Sequence, residues 1–429
     1  MDKERIAILT NFMEFVPGYS LTGIILDQAK MLTTHGHEVH LFVNDKYHGK
    51  EDWAEGVIVH KRVPFAHLKD FQSEMELPQH PELEETVRKT QEVLIEDFNK
   101  LSINIAFTHD FIFQGWYLPY GIAVRNVSPL LPQVRWLHWI HSVPTSGKDW
   151  WRIESYGPNH KIAYPNATDR VLVAEQFQST VANVRCIPHI KDIRTWMDFG
   201  EETQAFILKY PSVLQADVVK LYPASVDRLR AKRVDVVVQI MAEIKKKGKS
   251  VCLVIANQWA TERQHKQNID DFKRMASAYG LDPGIDFIFT SEFGKEYEVG
   301  IPKRMVRELF QCSNLFIFPT REETCGLVLP EAALAGGVLC ILNRSLRMQT
   351  EIAGGDGNAL FFDFGSYHHQ HSISNPALYY RDIAKIAVGR IERNESIRLK
   401  THIRQHNNMD HLYRNVYLPI FGESSLWIK

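Results

Sequence analysis

Excess charge of either sign is missing from this chain. Fifty Lys and Arg stand against 51 Asp and Glu, a formal net charge of -1. No global field therefore draws it toward nucleic acid or an anionic surface. No stretch is long and apolar enough to cross a bilayer as a helix, so no integral membrane segment is expected. The first residues run straight into a short apolar strand, without the h-region or cleavage site of a signal peptide. Cysteine is sparse. The five residues (Cys186, Cys252, Cys312, Cys325, Cys340) are scattered and form no C-x-x-C. An odd number in apolar strand patterns points to reduced thiols and a cytoplasmic setting. Repeats and low-complexity tracts are absent, and Asn126-Val127-Ser128 is a glycosylation sequon that means nothing without secretion.

What is present is an ordinary globular composition, 45% hydrophobic and 24% charged over 429 residues. That length is too great for one core and suits two domains, with a boundary between about 195 and 218. The first half opens with a strand at Ile6 to Thr10, a loop from Asn11 to Gly23 and a helix from Ile24 to Thr33. A helix stop at Thr34 to His37 leads into a second strand ending at Val43. Residues 51–100 have a charged, helical and mostly solvated pattern. Further strands are expected at Asn104 to His109, Gln133 to Ile140 and Asp169 to Ala174, with a helix from Glu175, then Val184 to Pro188. The second half restarts with a strand at Val218 to Pro223, a polar loop at Ala224 to Lys232 and a helix at Val234 to Lys247. Strands follow at Val251 to Ala256 and Asp286 to Thr290, then a helix at Pro302 to Cys312. After the central motif come strands at Val338 to Leu342 and Asn358 to Phe362, and a helical stretch from Tyr379 to Tyr417. Strands alternating with helices give an α/β chain with doubly wound, Rossmann-like domains.

The chemistry concentrates in one stretch. Asn314 to Pro319 reads as a buried strand, Thr320 to Gly326 as a polar turn, and Leu327 to Ala335 as a helix that tolerates Pro330 in its first turn. Strand, turn and helix place side chains and helix N–H groups at the carboxyl edge of a parallel sheet, where ligands bind and phosphate is favoured. Glu323 and Glu331 bracket the turn with seven residues between them. Glu331 can accept from a ribose diol and Glu323 from a sugar hydroxyl beyond the phosphates; the plain alternative is two surface acids. The Arg- and Lys-rich loop after the strand at Val218 can hold a diphosphate, or be a solvated turn like Lys245-Lys246-Lys247 at its helix end. His109-Asp110 and His141 end strands and can touch a sugar or an acceptor; a half-buried bonded histidine is the alternative. His138 and His141 form an H-x-x-H, but a strand puts them on opposite faces, which speaks against a metal. Tyr367-His368-His369-Gln370-His371 reads as a solvated loop. Trp139, Trp150 and Trp151 can stack on a ligand or simply pack.

Glu323-Thr324-Cys325-Gly326-Leu327 and then Glu331-Ala332-Ala333-Leu334-Ala335-Gly336-Gly337 resemble the E-x7-E signature of retaining GT-B glycosyltransferases, in particular glycosyltransferase family 4 (glycosyl transferases group 1). Gly36-His37-Glu38-Val39 matches the end of the family's first helix, and Pro188 and Asp192 match its Pro-Asn-Gly-Val-Asp turn, with His189 at the Asn position. The chain lacks the family's Gly-Phe before Gly326, its Gly-Gly in the first loop and its Gly-Arg after the strand at Val218. The resemblance implies a GT-B fold: two facing Rossmann-like domains with a cleft, residues 1–200 on the acceptor side and 215–410 on the donor side. A tail at about 410–429 would pack back on the first domain.

By the same resemblance the activity is retaining transfer of a sugar from a nucleotide diphosphate sugar (UDP- or GDP-sugar) to a hydroxyl acceptor, of hexosyltransferase type. The resemblance also implies that the leaving phosphate takes the acceptor's proton. No Asp-x-Asp stands in the expected loops, so metal independence is expected, with no cofactor beyond the nucleotide sugar as co-substrate. Arg228 and Lys232 would hold the diphosphate, with Arg230 and Arg233 as competitors. Gly18, Cys325, Gly326 and Leu327 would lie beside the phosphates, Phe293 beside the base, Glu331 on ribose and Glu323 on the donor sugar. His141 would stand near the reacting centre, and His109 and Asp110 near the acceptor. The catalytic set is thus Glu323, His141, Arg228 and Lys232. The acceptor (sugar, glycan, lipid or nucleic-acid base), the donor and the oligomeric state stay open. Two other readings stay open as well: a different GT-B enzyme such as a nucleotide-sugar epimerase or phosphorylase, and a non-catalytic nucleotide-sugar-binding relative.

Overall fold

The computed structural model describes residues 3–422 apart from 17–18, 52–54, 65–70, 72, 114–116, 149–150, 324–325 and 367–372. Gly18, Cys325, Trp150 and the tract from Tyr367 to His371 therefore lie outside the described residues. Two compact units form, one from residues 1–192 with 407–429 and one from residues 193–406.

The first unit is built on seven parallel strands: β1 (Arg5–Leu9), β2 (Glu38–Asn44), β3 (Val57–Val63), β4 (Ile105–His109), β5 (Arg135–Trp139), β6 (His160–Tyr164) and β7 (Val184–Cys186). Their order is β3-β2-β1-β4-β5-β6-β7. Ile6 pairs with Val39 on one side and Ile105 on the other. Ile6, Ala7 and Ile8 are fully buried, as a parallel sheet covered on both faces requires. The order reverses between β1 and β4, which makes their carboxyl ends a topological switch point, the usual place for a ligand crevice. The chain's last helical turns pack on this unit. His35 stacks on Tyr413 with centroids 3.7 Å apart, and Arg135 donates to the carbonyl of Phe421 at 2.7 Å.

The second unit has β8 (Val218–Pro223), β9 (Val251–Ala256), β10 (Phe287–Phe289), β11 (Leu315–Phe318), β12 (Leu339–Asn343) and β13 (Leu360–Phe362). They lie in two parallel runs, β10-β9-β8 and β11-β12-β13. Two side-chain bonds and one backbone bond join the runs. Val219 N–H donates to Asn314 Oδ1 at 2.9 Å, Asn314 N–H to Val219 O at 3.0 Å, and Leu221 N–H to Ser313 Oγ at 3.1 Å. β8 and β11 are thereby neighbours, and the switch point of this unit falls between them.

Several expectations from the sequence need correction. The first helix runs Ser20–Thr34 and takes in Gly23, assigned to a loop. Strand β3 lies where only solvated helix was expected, beside the amphipathic helix Pro81–Lys100. Arg170–Gln176 is helical, not a strand. Its apolar run is four residues long, too short for periodicity to separate helix from strand. The real strand, β6, escaped because it opens with His160-Lys161. The helical stretch expected from Tyr379 to Tyr417 is broken into Pro376–Arg393, Glu395–His406 and shorter turns, with Asn408 capping the next turn through His411 N–H at 2.9 Å.

Candidate functional site

In the second unit the turns after β8 and β11 meet at the switch point. After β8 the chain makes a 3-10 turn, Val226–Arg228, then enters the helix Val234–Lys245 through Arg233, held at φ +56°. Tyr222 OH donates to Lys232 O at 2.7 Å and anchors that turn to the end of β8. Lys232 Nζ reaches across to Glu323 Oε2 at 2.5 Å, with both side chains mostly shielded from water. Arg228 pairs with Glu322 at a more exposed position. The two competing arginines have other neighbours: Arg230 lies over the Phe272 ring, and Arg233 pairs with Asp235.

The turn after β11 is fixed from beneath by Asn343, fully buried at the end of β12. Its Nδ2 donates to Thr320 O at 2.8 Å and to Gly365 O at 2.7 Å. Its Oδ1 accepts from Ser345 N–H at 3.0 Å and Phe364 N–H at 3.1 Å. Three carboxyl-edge loops are thus tied by one amide. Gly326 has φ +63°, and a Cβ there would sit 3.2 Å from Glu323 Cγ, so glycine lets the turn close over Glu323. Leu327 follows with an exposed side chain. Glu331, on the helix Val328–Ala335, is bound by Lys303. Phe293 is occupied with packing, stacked on Tyr297 at 5.1 Å and edge-on to Phe206 at 5.2 Å, while its carbonyl accepts from Lys209. It orders its loop rather than offering a free face.

In the first unit the candidate residues His109, Asp110 and His141 come together with two residues that sequence reasoning did not single out as ligand groups, Gln28 and His189. His109 Nε2 lies 2.7 Å from Gln28 Oε1, His109 Nδ1 3.1 Å from His141 Nε2, and His141 Nδ1 3.0 Å from His189 Nε2. Gln28 Nε2 donates to Tyr417 OH at 3.2 Å. That amide orientation sets a polarity, because each neutral imidazole gives one proton and takes one. His109 donates to Gln28, His141 donates to His109, and His189 donates to His141. Both ring nitrogens of His141 are then used, and the ladder ends on the lone pair of His189 Nδ1. Burial, and next to it the neighbouring His189, pulls His141 down to about 3, while burial and then the neighbouring His141 and His189 hold His109 well below the ordinary value. The ladder is neutral at pH 7. Asp110, at φ +45°, accepts His141 N–H at 3.0 Å, yet burial still raises its carboxyl to about 6. The one signal Gln28 carries in the sequence is its place as a polar residue on the apolar stripe Ile25, Gln28, Leu32.

His138 points away from this ladder, as strand alternation requires. It is buried against His160 Nδ1 at 2.9 Å and Thr108 Oγ1 at 3.0 Å. No group of three or more metal-ligating side chains forms among the described residues. No helix among them is long and apolar enough to cross a membrane.

Both turns of the second unit fall inside one recognisable stretch. Residues 212–373 match the family model of glycosyl transferases group 1. The group 1 match spans Arg228, Lys232, Phe293, Glu323 and Glu331. No curated protein matches the chain. Among solved structures it is similar to a glycosyltransferase from Rickettsia africae ESF-5, with 13% identity, 99% of each chain covered and a TM-score of 0.36. It is also similar to a sucrose-phosphate synthase from Thermosynechococcus elongatus, with 16% identity, 98% of this chain and 100% of the other, and a TM-score of 0.35. HepE of Anabaena, solved with UDP and glucose, shows 11% identity, 97% and 99% coverage and a TM-score of 0.33.

Proposed function

We propose that this chain is a GT-B glycosyltransferase that moves a sugar from a nucleotide diphosphate sugar to a hydroxyl acceptor, without a metal and with retention at the anomeric carbon. The observation that carries the reading is the Lys232–Glu323 contact at 2.5 Å. It brings a cation and a carboxylate, 91 residues apart in sequence, to the switch point of the unit that matches group 1. An incoming diphosphate competes for Lys232 and Arg228, and this releases Glu323 and Glu322 toward the donor. Fixed positive charge at the leaving diphosphate lowers the barrier, because negative charge grows there in the transition state. Glu331, paired with Lys303, is the acceptor proposed for the ribose diol.

The test is a panel of UDP-, GDP- and ADP-sugars, followed by thermal shift and by release of free nucleoside diphosphate, with and without EDTA. One stabilising donor with slow, EDTA-insensitive hydrolysis is expected. Release abolished by EDTA removes the metal-independent part, and no shift with any donor removes the donor site.

A further inference from the structure

Trp259 follows the end of β9, and packing does not account for it. Its φ is +63°, a left-handed conformation that bulky side chains rarely adopt and glycine adopts freely. Its side chain is 56% exposed, and no ring or cation contact of it occurs among the described residues. The backbone around it is clamped on both flanks. Val226 N–H donates to Gln258 O at 3.1 Å, Trp259 N–H to Val299 O at 3.3 Å, and Ala260 N–H to Glu298 O at 2.7 Å. The strained φ is therefore imposed by two neighbouring loops, and one of these is the turn that carries Arg228. Two residues earlier, Asn257 is buried and its Nδ2 has no hydrogen-bond partner among the described residues.

We propose that Trp259 is the platform on which the nucleoside base of the donor stacks. This rests on the reading of the switch point as a nucleotide-sugar site. The order of strands sets the direction. The diphosphate groups belong to the turns after β8 and β11, and β9 is the next strand outward, about 4.8 Å further along the edge. A ribose spans that step and brings the base over the β9 loop, where an exposed indole waits. Phe293, one more strand out, is already covered by Tyr297 and Phe206. Stacking on an indole face tolerates any base, since every base offers a π-face. Trp259 thus supplies affinity for nucleotides as a class and leaves the choice among bases to other groups.

The experiment compares wild type with Trp259→Gly and Trp259→Phe by calorimetry, using UDP, GDP, ADP and inorganic diphosphate, alongside thermal melting. Loss of one stacked base weakens binding about 5- to 150-fold. Trp259→Gly should show that loss for the tightest nucleoside diphosphate while binding of inorganic diphosphate stays unchanged, and Trp259→Phe should recover most of it. The melting point of Trp259→Gly should equal or exceed that of wild type, because glycine relieves the strained φ. Nucleotide binding by Trp259→Gly at wild-type strength overturns the platform and leaves the proposed function standing. An equal loss for inorganic diphosphate, or a lower melting point, assigns Trp259 a structural role and also overturns it. Wild type that binds inorganic diphosphate but no nucleoside diphosphate overturns both the platform and the donor site.

Discussion

Lys232 Nζ and Glu323 Oε2 lie 2.5 Å apart, and each belongs to a different carboxyl-edge loop of the second unit. Under the proposed function the pair closes the site on itself, since the cation proposed for the leaving phosphate is neutralised by the acid proposed for the sugar. A ligand must therefore exchange this ion pair for two new contacts.

Glu323→Gln separates the two roles. The neutral amide no longer competes with phosphate for Lys232, so nucleoside diphosphate should bind as well as to wild type or better. Donor-sugar turnover should fall at least about 100-fold, in the range seen when a preorganised polar contact to the reacting centre is lost. Calorimetry with the diphosphate and a hydrolysis assay with the full donor check the two halves. Turnover within threefold of wild type would remove Glu323 from the reacting centre.

Asn343→Ala should be far more damaging than its surface-like residue type suggests. It deletes two donated and two accepted hydrogen bonds in a fully buried position. It leaves Thr320 O, Gly365 O, Phe364 N–H and the less buried Ser345 N–H to find other partners. At the low end of about 1–3 kcal/mol for each buried group left unsatisfied, a loss of about 3–5 kcal/mol is expected. Urea titration measures it. A loss below 1 kcal/mol would mean that the three loops hold themselves without this amide.

Acid should destabilise the chain, and the sign follows from the histidines. His160, like His141, is held down to about 3 by burial, and His109 and His138 lie well below the ordinary value for the same reason. Below about pH 6.5 the unfolded chain takes up protons that the folded chain refuses, so stability present above that pH drains away toward pH 3. Each such group contributes a slope of at most about 1.4 kcal/mol per pH unit. Asp110 acts the other way. Its folded value of about 6 is raised, so it costs stability above pH 6 and that cost is relieved as pH falls. Asp110→Asn keeps the acceptor for His141 N–H and removes the cost. It should raise stability by about 1–3 kcal/mol at pH 7.5, a gain that vanishes by pH 4. Melting curves between pH 4 and 7.5 decide, and a gain independent of pH would rule out the buried carboxylate as its source.

Much of this was legible because parallel sheets write long apolar runs. The runs at Val218, Val251 and Leu315 stand out, and so do the glycines and acids of the turn after β11. What stayed hidden has a common cause. Polar residues inside strands and on apolar helix faces (Gln28, His138, Asn343) carry no local signal of their distant partners, which lie 21 to 389 residues away. The ladder through His109, His141 and His189 needs the sheet order β4-β5-β6-β7 before its members can be seen as neighbours. Short elements such as Arg170–Gln176 failed for want of length, since four apolar residues fit either period.

Lys220 is the sharpest local contradiction in the second unit. It is fully buried in β8, with Nζ 4.1 Å from the Tyr222 ring centroid and 4.5 Å from that of Phe316. Its hydrogen bond to Leu221 O is long, at 3.4 Å. Two aromatic faces give an ammonium about 2 kcal/mol each at best. Desolvating that ion costs several kcal/mol, so burial wins and drives its pKa well below the ordinary lysine value. The unfolded lysine is charged at pH 7 and the folded one resists the proton, which costs stability until pH approaches 10.5. Lys220→Met keeps the aliphatic stem between the rings and removes that cost. It should stabilise the chain by about 1–3 kcal/mol at pH 7, and the gain should shrink as pH rises toward 10. A variant that melts lower than wild type at pH 7 would show that the two rings hold a charged lysine after all.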